Sequence, residues 1–192
     1  MGALDRAPLI HIDDRDAWRA WLVENHATSS GVWLVTGRAR SGLPRIEYED
    51  AVEEALCFGW IDGQAGTVDE RRSRQYFTPR RPGSPWSRYN KDRVARMTRA
   101  GRMTPAGVAA VERATSDGSW TVFDSVDRLE LPRELEAALD ARPPARDNWD
   151  TFPDSLKRLH LSSIALAKRP DTRARRIEHA VAAAQLNERP RR

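Results

Sequence analysis

CFGWIDGQAGTVDERRSRQYFTPRRPGSPWSRYN, residues 57–90, closes one helix, makes a hairpin and opens the next helix. Gly59 stops the first helix, since a residue without Cβ takes the left-handed turn at a helix C-terminus without penalty. WIDGQAGTV (60–68) and RRSRQYFTP (71–79) read as two strands, with Asp69 and Glu70 in the turn between them. In the second strand Gln75, Phe77 and Pro79 alternate with Arg74, Tyr76 and Thr78, the period of a strand with one covered face. A helix follows over 85–100, with Ser84 as N-cap, Pro85 in its first turn and Gly101 just past its end.

Upstream, DRDAWRAWLVENH (14–26) places Trp18, Trp21 and Leu22 on one helical stripe. GVWLV (31–35) is a short β-rich run, and RARSGLP (38–44) is a turn-rich loop. EYEDAVEEALCF (47–58) predicts a second helix, acidic in its first turn as the helix dipole favours. Downstream, Thr104 and Pro105 start a helix over 105–117 that Gly118 ends. From Pro132 on, the chain reads as short helices divided by prolines at 143–144, 153 and 170. The expected class is α+β: a small antiparallel sheet flanked by helices over 1–130, then a helical C-terminal module over 131–192.

Charge is divided sharply along the chain. Between 71 and 102 stand eleven Arg or Lys against one acid, Asp92, whereas residues 1–70 hold six bases and thirteen acids. Such a division suits an anionic partner for one face. Nearly all the bases are arginine, with Lys only at 91, 157 and 168, a bias that high-GC coding alone produces. No apolar run approaches the roughly 20 residues of a bilayer span, and the first residues lack a secretory n-region and h-region. A single cysteine, Cys57, excludes an internal disulfide and a Cys-rich zinc site. The expectation is a cytoplasmic chain without membrane attachment.

YEDAVEEALCFGWIDGQ, FTPRRPGSPWSRYN, GRMTPAG and AKRPDTRARRI occur in that order and resemble the signature blocks of the YdeI/OmpD-associated (OmdA) family of bacterial proteins. The resemblance runs from about Trp18 to Val181. It implies a cytoplasmic bacterial protein with a small α+β domain and a helical C-terminal domain, associated with bacteriocin protection and with stress or antimicrobial tolerance. It supplies no catalytic residues.

One candidate pocket comprises Trp60, Asp62, Gln64, Arg80, Arg81, Trp86 and Asn90. On a strand Trp60, Asp62 and Gln64 share a face, and on a helix Trp86 and Asn90 share another. Arg80 and Arg81 near a helix start suit an anion, and the indoles suit a planar body. The same residues also read as structure, with the tryptophans in the core and Asp62 paired to an arginine. The first function reading is therefore binding of an anionic or planar small molecule without turnover and without a cofactor. Two alternatives stay open: an enzyme acting on a toxin-like or antibiotic-like molecule with Asp62 as general base, and nucleic-acid binding through the 71–102 face. No helix-turn-helix, RRM or KH pattern accompanies that face, although Arg88, Lys91, Arg99 and Arg102 suggest a stripe.

Other chemistry finds less footing. Cys57 ends a helix inside an apolar run, conditions that oppose a thiolate. His11, His26, His160 and His179 are scattered without metal-ligand spacing. Walker, GxGxxG and GxSxG patterns do not occur. Of the seven tryptophans, Trp18, Trp21 and Trp33 read as core, and Trp120 and Trp149 as residues near an inter-domain joint.

Overall fold

The computed structural model describes residues 6–188, which divide into two compact units, the first ending at Ser119 and the second beginning at Trp120. The composition shift near residue 130 lies downstream of that division. No helix among the described residues is long and apolar enough to cross a membrane.

In the first unit, β1 (Leu9–His11), α1 (Arg15–Asn25) and β2 (Val32–Gly37) form a crossover that sets β1 parallel to β2. Asp14 starts α1 by accepting a hydrogen bond from the Ala17 N–H at 2.8 Å. Next come α2 (Tyr48–Cys57), β3 (Trp60–Thr67), β4 (Arg72–Pro79), α3 (Arg88–Arg99) and α4 (Pro105–Ser116). The sheet order is β1-β2-β4-β3, with antiparallel β2–β4 and β4–β3 pairs. The α+β class holds, but the sheet is mixed rather than wholly antiparallel. Three residues of β1 are too few to show a period, and parallel pairing leaves no local hairpin signal.

The core of this unit includes the buried Trp18, Leu22, Leu34, Val52, Leu56 and Phe77. Trp18 packs on Phe77 at 5.2 Å between centroids, and its indole N–H donates to the Ala51 carbonyl at 3.0 Å. Tyr76, on the opposite side of β4, is also buried and lies 5.3 Å from Trp33. Both faces of β4 are therefore covered at its centre, not one. Gly59 has φ +74 after α2, as its role as a stop requires. Two residues differ from expectation at α3: it starts at Arg88, and its cap is Ser87, whose Oγ accepts from the Asn90 N–H at 3.3 Å. Ser84 and Pro85 stand before the helix because Trp86 is drawn into the interior, where it is 1% exposed.

The second unit is helical: α5 (Asp124–Asp127), α6 (Arg133–Asp140), α7 (Pro143–Thr151), α8 (Asp154–Ala165) and α9 (Pro170–Gln185). Its core gathers Leu135, Leu139, Trp149, Phe152, Ile164 and Val181. Trp149 belongs to that core, 6.0 Å from Phe152 and 5.9 Å from His160, rather than to a joint.

Candidate functional site

The acidic helix and the basic segment face each other within the first unit. Glu54, fully buried, accepts from Arg15 Nε at 2.6 Å, Arg19 Nη1 at 2.6 Å, and Arg102 Nε and Nη2 at 3.0 and 2.6 Å. Glu49 takes Arg93 and Arg96, and Glu53 takes Arg15 and Arg96. Burial alone would raise the Glu54 pKa, but hydrogen bonds from Arg19, Arg15 and Arg102 outweigh it and hold the carboxyl below its usual range. Arg80 is buried, and Arg74 lies over the Trp33 ring at 4.3 Å. Arg74, Arg80, Arg93, Arg96 and Arg102 are thus engaged inside the unit. Arg102 turns to Glu54 and leaves the stripe that the spacing suggested.

The seven candidate residues separate into layers. Trp60 is a core residue whose indole donates to the His26 carbonyl at 3.1 Å and whose ring meets Trp21 edge-on at 5.8 Å. Asp62 is half-buried and accepts from the Tyr48 hydroxyl at 2.7 Å. Gln64 does not share its face. The register passes from Asp62↔Phe77 to Ala65↔Gln75, so Gly63 and Gln64 together oppose Tyr76 in a bulge. That extra residue gives the Asp62 face to Ala65 and leaves Gln64 exposed.

Arg80 stacks on Trp86 with its guanidinium 3.7 Å from the ring centre, and its Nη2 donates to the Pro85 carbonyl at 2.7 Å. Burial pushes its pKa down to about 10, against the opposing charge of Asp62. Arg81 is exposed. Asn90 accepts from Arg93 Nη1 at 2.7 Å, and Arg93 also forks onto Glu49. The charge of Asp62 acts on Arg93 as well as on Arg80. Asp62, Arg80 and Asn90 therefore stand in one electrostatic group, completed by Tyr48 and Arg93, whereas Trp60 and Trp86 lie beneath it in the core.

Tyr48 is the residue the sequence reading missed. Partial burial and the bond to Asp62 push its pKa up to about 12, so at neutral pH it is a fixed donor to Asp62. It opens α2 and lines a cleft of about 310 Å³. Leu34, Ile46, Ala51 and Ala65 give that cleft an apolar floor, and Thr36 and Gln75 give it polar points. The loop between β2 and α2 closes one side, held by the Ile46 N–H donating to Thr36 Oγ1 at 3.0 Å. Arg38 and Arg45 also line it, and Arg45 is paired with Glu47 at 2.6 Å. Pockets of about 300–1,000 Å³ with an apolar lining and a few polar groups are the usual sites for small molecules. A cluster of three or more metal-ligating side chains does not occur among the described residues.

Two family matches divide the chain. Residues 10–110 match a family described as a domain of unknown function (DUF8412), and residues 128–187 match one described as bacteriocin-protection, YdeI or OmpD-associated (OmdA). The OmdA match falls on the helical unit, and the blocks around the cleft and Arg80 fall in the other. No curated protein and no solved structure matches the chain.

Proposed function

We propose, for a chain that belongs to the DUF8412 family over residues 10–110 and carries an OmdA domain over residues 128–187, a bacteriocin-protection-like role exercised by binding a small molecule in the cytoplasm. The ligand is a planar, largely apolar body with an anionic end. It enters the cleft between the sheet and the start of α2, lies against Tyr48, and turns its charge toward Arg38. The observation that carries this reading is the cleft itself: about 310 Å³, apolar at its floor, with Thr36 and Gln75 as polar points. Asp62 acts on the ligand through Tyr48, which it orients.

Anilinonaphthalene sulfonate has this shape and charge and brightens when it leaves water. Titration into the folded protein is expected to saturate at one site. Ala65→Trp, which fills the cleft from an exposed strand position, is expected to weaken binding by about tenfold or more, roughly 1.4 kcal/mol. Equal affinity in a variant that melts like the parent rejects the cleft.

Turnover is the second reading, favoured by the Tyr48–Asp62 bond, which sets a carboxylate behind the cleft-lining Tyr48. A bound compound consumed by the parent and bound but not consumed by Asp62→Asn would establish it. Nucleic-acid binding through 71–102 draws less support, because Arg71, Arg72 and Arg88 also have partners within the unit beside the five arginines engaged there.

A further inference from the structure

Arg80 carries a second feature that small-molecule binding in the cleft does not use. Its guanidinium is 8% exposed by residue, and Nε and Nη1 have no hydrogen-bond partner. The Ser119 Oγ, in a residue 4% exposed, also has none. Both residues line one small cavity of about 10 Å³, beside Trp86 and the segment 81–84. Buried donors left unmade cost far more than exposed ones, and native interiors rarely keep them empty-handed. About 10 Å³ of room for the centre of a small body fits one monatomic ion or one water and excludes an oxyanion such as sulfate or phosphate.

The charge around the cavity selects the occupant. Arg80, Arg81 and Arg113 are among the lining residues, and Asp117 is the sole acid among them. Asp117 is already committed: its Oδ2 accepts from the Gly83 N–H at 2.9 Å and its Oδ1 from the Ser119 N–H at 2.9 Å. Those two bonds tie the 80–84 segment to the end of α4 and set Ser119 opposite Arg80. The unspent donors are the two guanidinium nitrogens; the Ser119 hydroxyl makes no hydrogen bond of ordinary length, although it stands close enough to Asp117 to help hold that carboxyl low. Water can also accept from these donors, but it brings no charge to set against the buried guanidinium. A monatomic anion accepts from every one of them.

We infer that the cavity formed by Arg80, Trp86 and Ser119 is a binding site for one chloride-sized anion. The ion neutralises the buried Arg80 and locks the 80–84 segment to the end of α4. The lowered Arg80 pKa of about 10 still leaves the side chain charged at neutral pH, so the positive charge is present to be neutralised.

Crystals of the full chain grown in sodium bromide test the site directly by anomalous scattering at the bromine edge. The expected result is a peak within about 3.5 Å of Arg80 Nη1 and Ser119 Oγ. No anomalous peak there, or density that refines only as water, overturns the inference. Thermal unfolding gives an independent check at constant ionic strength. Replacing gluconate by chloride is expected to raise the Tm of the first unit by about 3–5 °C through binding to the native state. Ser119→Ala, a variant that keeps Arg80 and the fold, is expected to lose at least half of that rise. An equal Tm in both salts, or an unchanged rise in Ser119→Ala, contradicts it.

Discussion

Replacing Glu54 by alanine removes the anion on which three arginines converge. The carboxylate is 0% exposed and receives four hydrogen bonds of 2.6–3.0 Å, from Arg15, Arg19 and Arg102. Arg15 keeps Asp50 and Glu53 as partners, and Arg19 keeps the Arg102 carbonyl at 3.0 Å. Arg102 loses both of its side-chain hydrogen bonds. Breaking a fully buried pair from one side costs about 3–5 kcal/mol. The arginines left behind keep 28–33% of their side-chain surface, so the expected loss is about 2–3 kcal/mol, chiefly from the unmade bonds of Arg102. Glu49→Ala is the matched control. Its side chain is half exposed on the same helix and also holds two arginines, yet solvent screening limits its cost to below about 1 kcal/mol. Urea unfolding followed by tryptophan fluorescence reads the difference, because Trp18 donates to Ala51 on the same helix. Acid titration adds a sign. The folded pKa of Glu54 lies below the usual 4.5, so its stabilisation is complete above that value and fades as pH falls through the folded pKa. Glu54→Gln is expected to shallow the acid limb of the stability profile. Equal small losses for Glu54→Ala and Glu49→Ala would refute the claim that the acidic helix is held by buried ion pairing.

Two further outcomes follow from close contacts elsewhere. Gly107→Ala sets helix propensity, which favours Ala by about 1 kcal/mol, against packing. A Cβ at Gly107 would lie 2.2 Å from the Cys57 carbonyl oxygen, so the substitution is expected to destabilise the first unit by about 1–3 kcal/mol, and a gain in urea midpoint would overturn that reading. In the helical unit, His160 is buried and its pKa is lowered, first by burial and then by the neighbouring His179. Its neutral form therefore supports the fold above the usual 6.5, and stability is lost as pH falls from there toward the folded pKa, by at most about 1.4 kcal/mol per pH unit. Trp149 lies 5.9 Å from that ring, so its fluorescence melt at two pH values reports the loss, and His160→Gln should flatten the dependence.

Helices and the hairpin were legible because their signals are local. Trp18, Trp21 and Leu22 fall on one stripe, Gly59 ends α2, and Asp69 and Glu70 divide two strand-like runs. The charge division was legible too, but its meaning was not. A sequence shows that 47–54 is acidic and 71–102 basic, whereas only the fold brings Glu49, Glu53 and Glu54 against Arg93, Arg96 and Arg102. For the same reason Arg80, buried on Trp86, and Arg81, exposed, look alike as adjacent letters.

The bulge at Gly63 and Gln64 breaks an alternation that the pattern WIDGQ suggests, since two residues there face one partner. Ser87 rather than Ser84 caps α3 because burial of Trp86 decides where the helix begins. The cleft was the least accessible feature. It depends on the non-periodic 38–47 loop and on Tyr48, whose value as a donor appears only once Asp62 stands 2.7 Å away. Its place at the head of the YEDAVEEAL block was the available signal.

The most direct measurement is an amide NMR titration of the full chain with anilinonaphthalene sulfonate. Binding in the cleft predicts saturable shifts that centre on Thr36, Ile46, Tyr48, Ala65 and Gln75 and need about tenfold or more ligand in Ala65→Trp. Shifts that gather instead on α3 or on the helical unit, or that never saturate, would contradict the assignment of the cleft as the binding site.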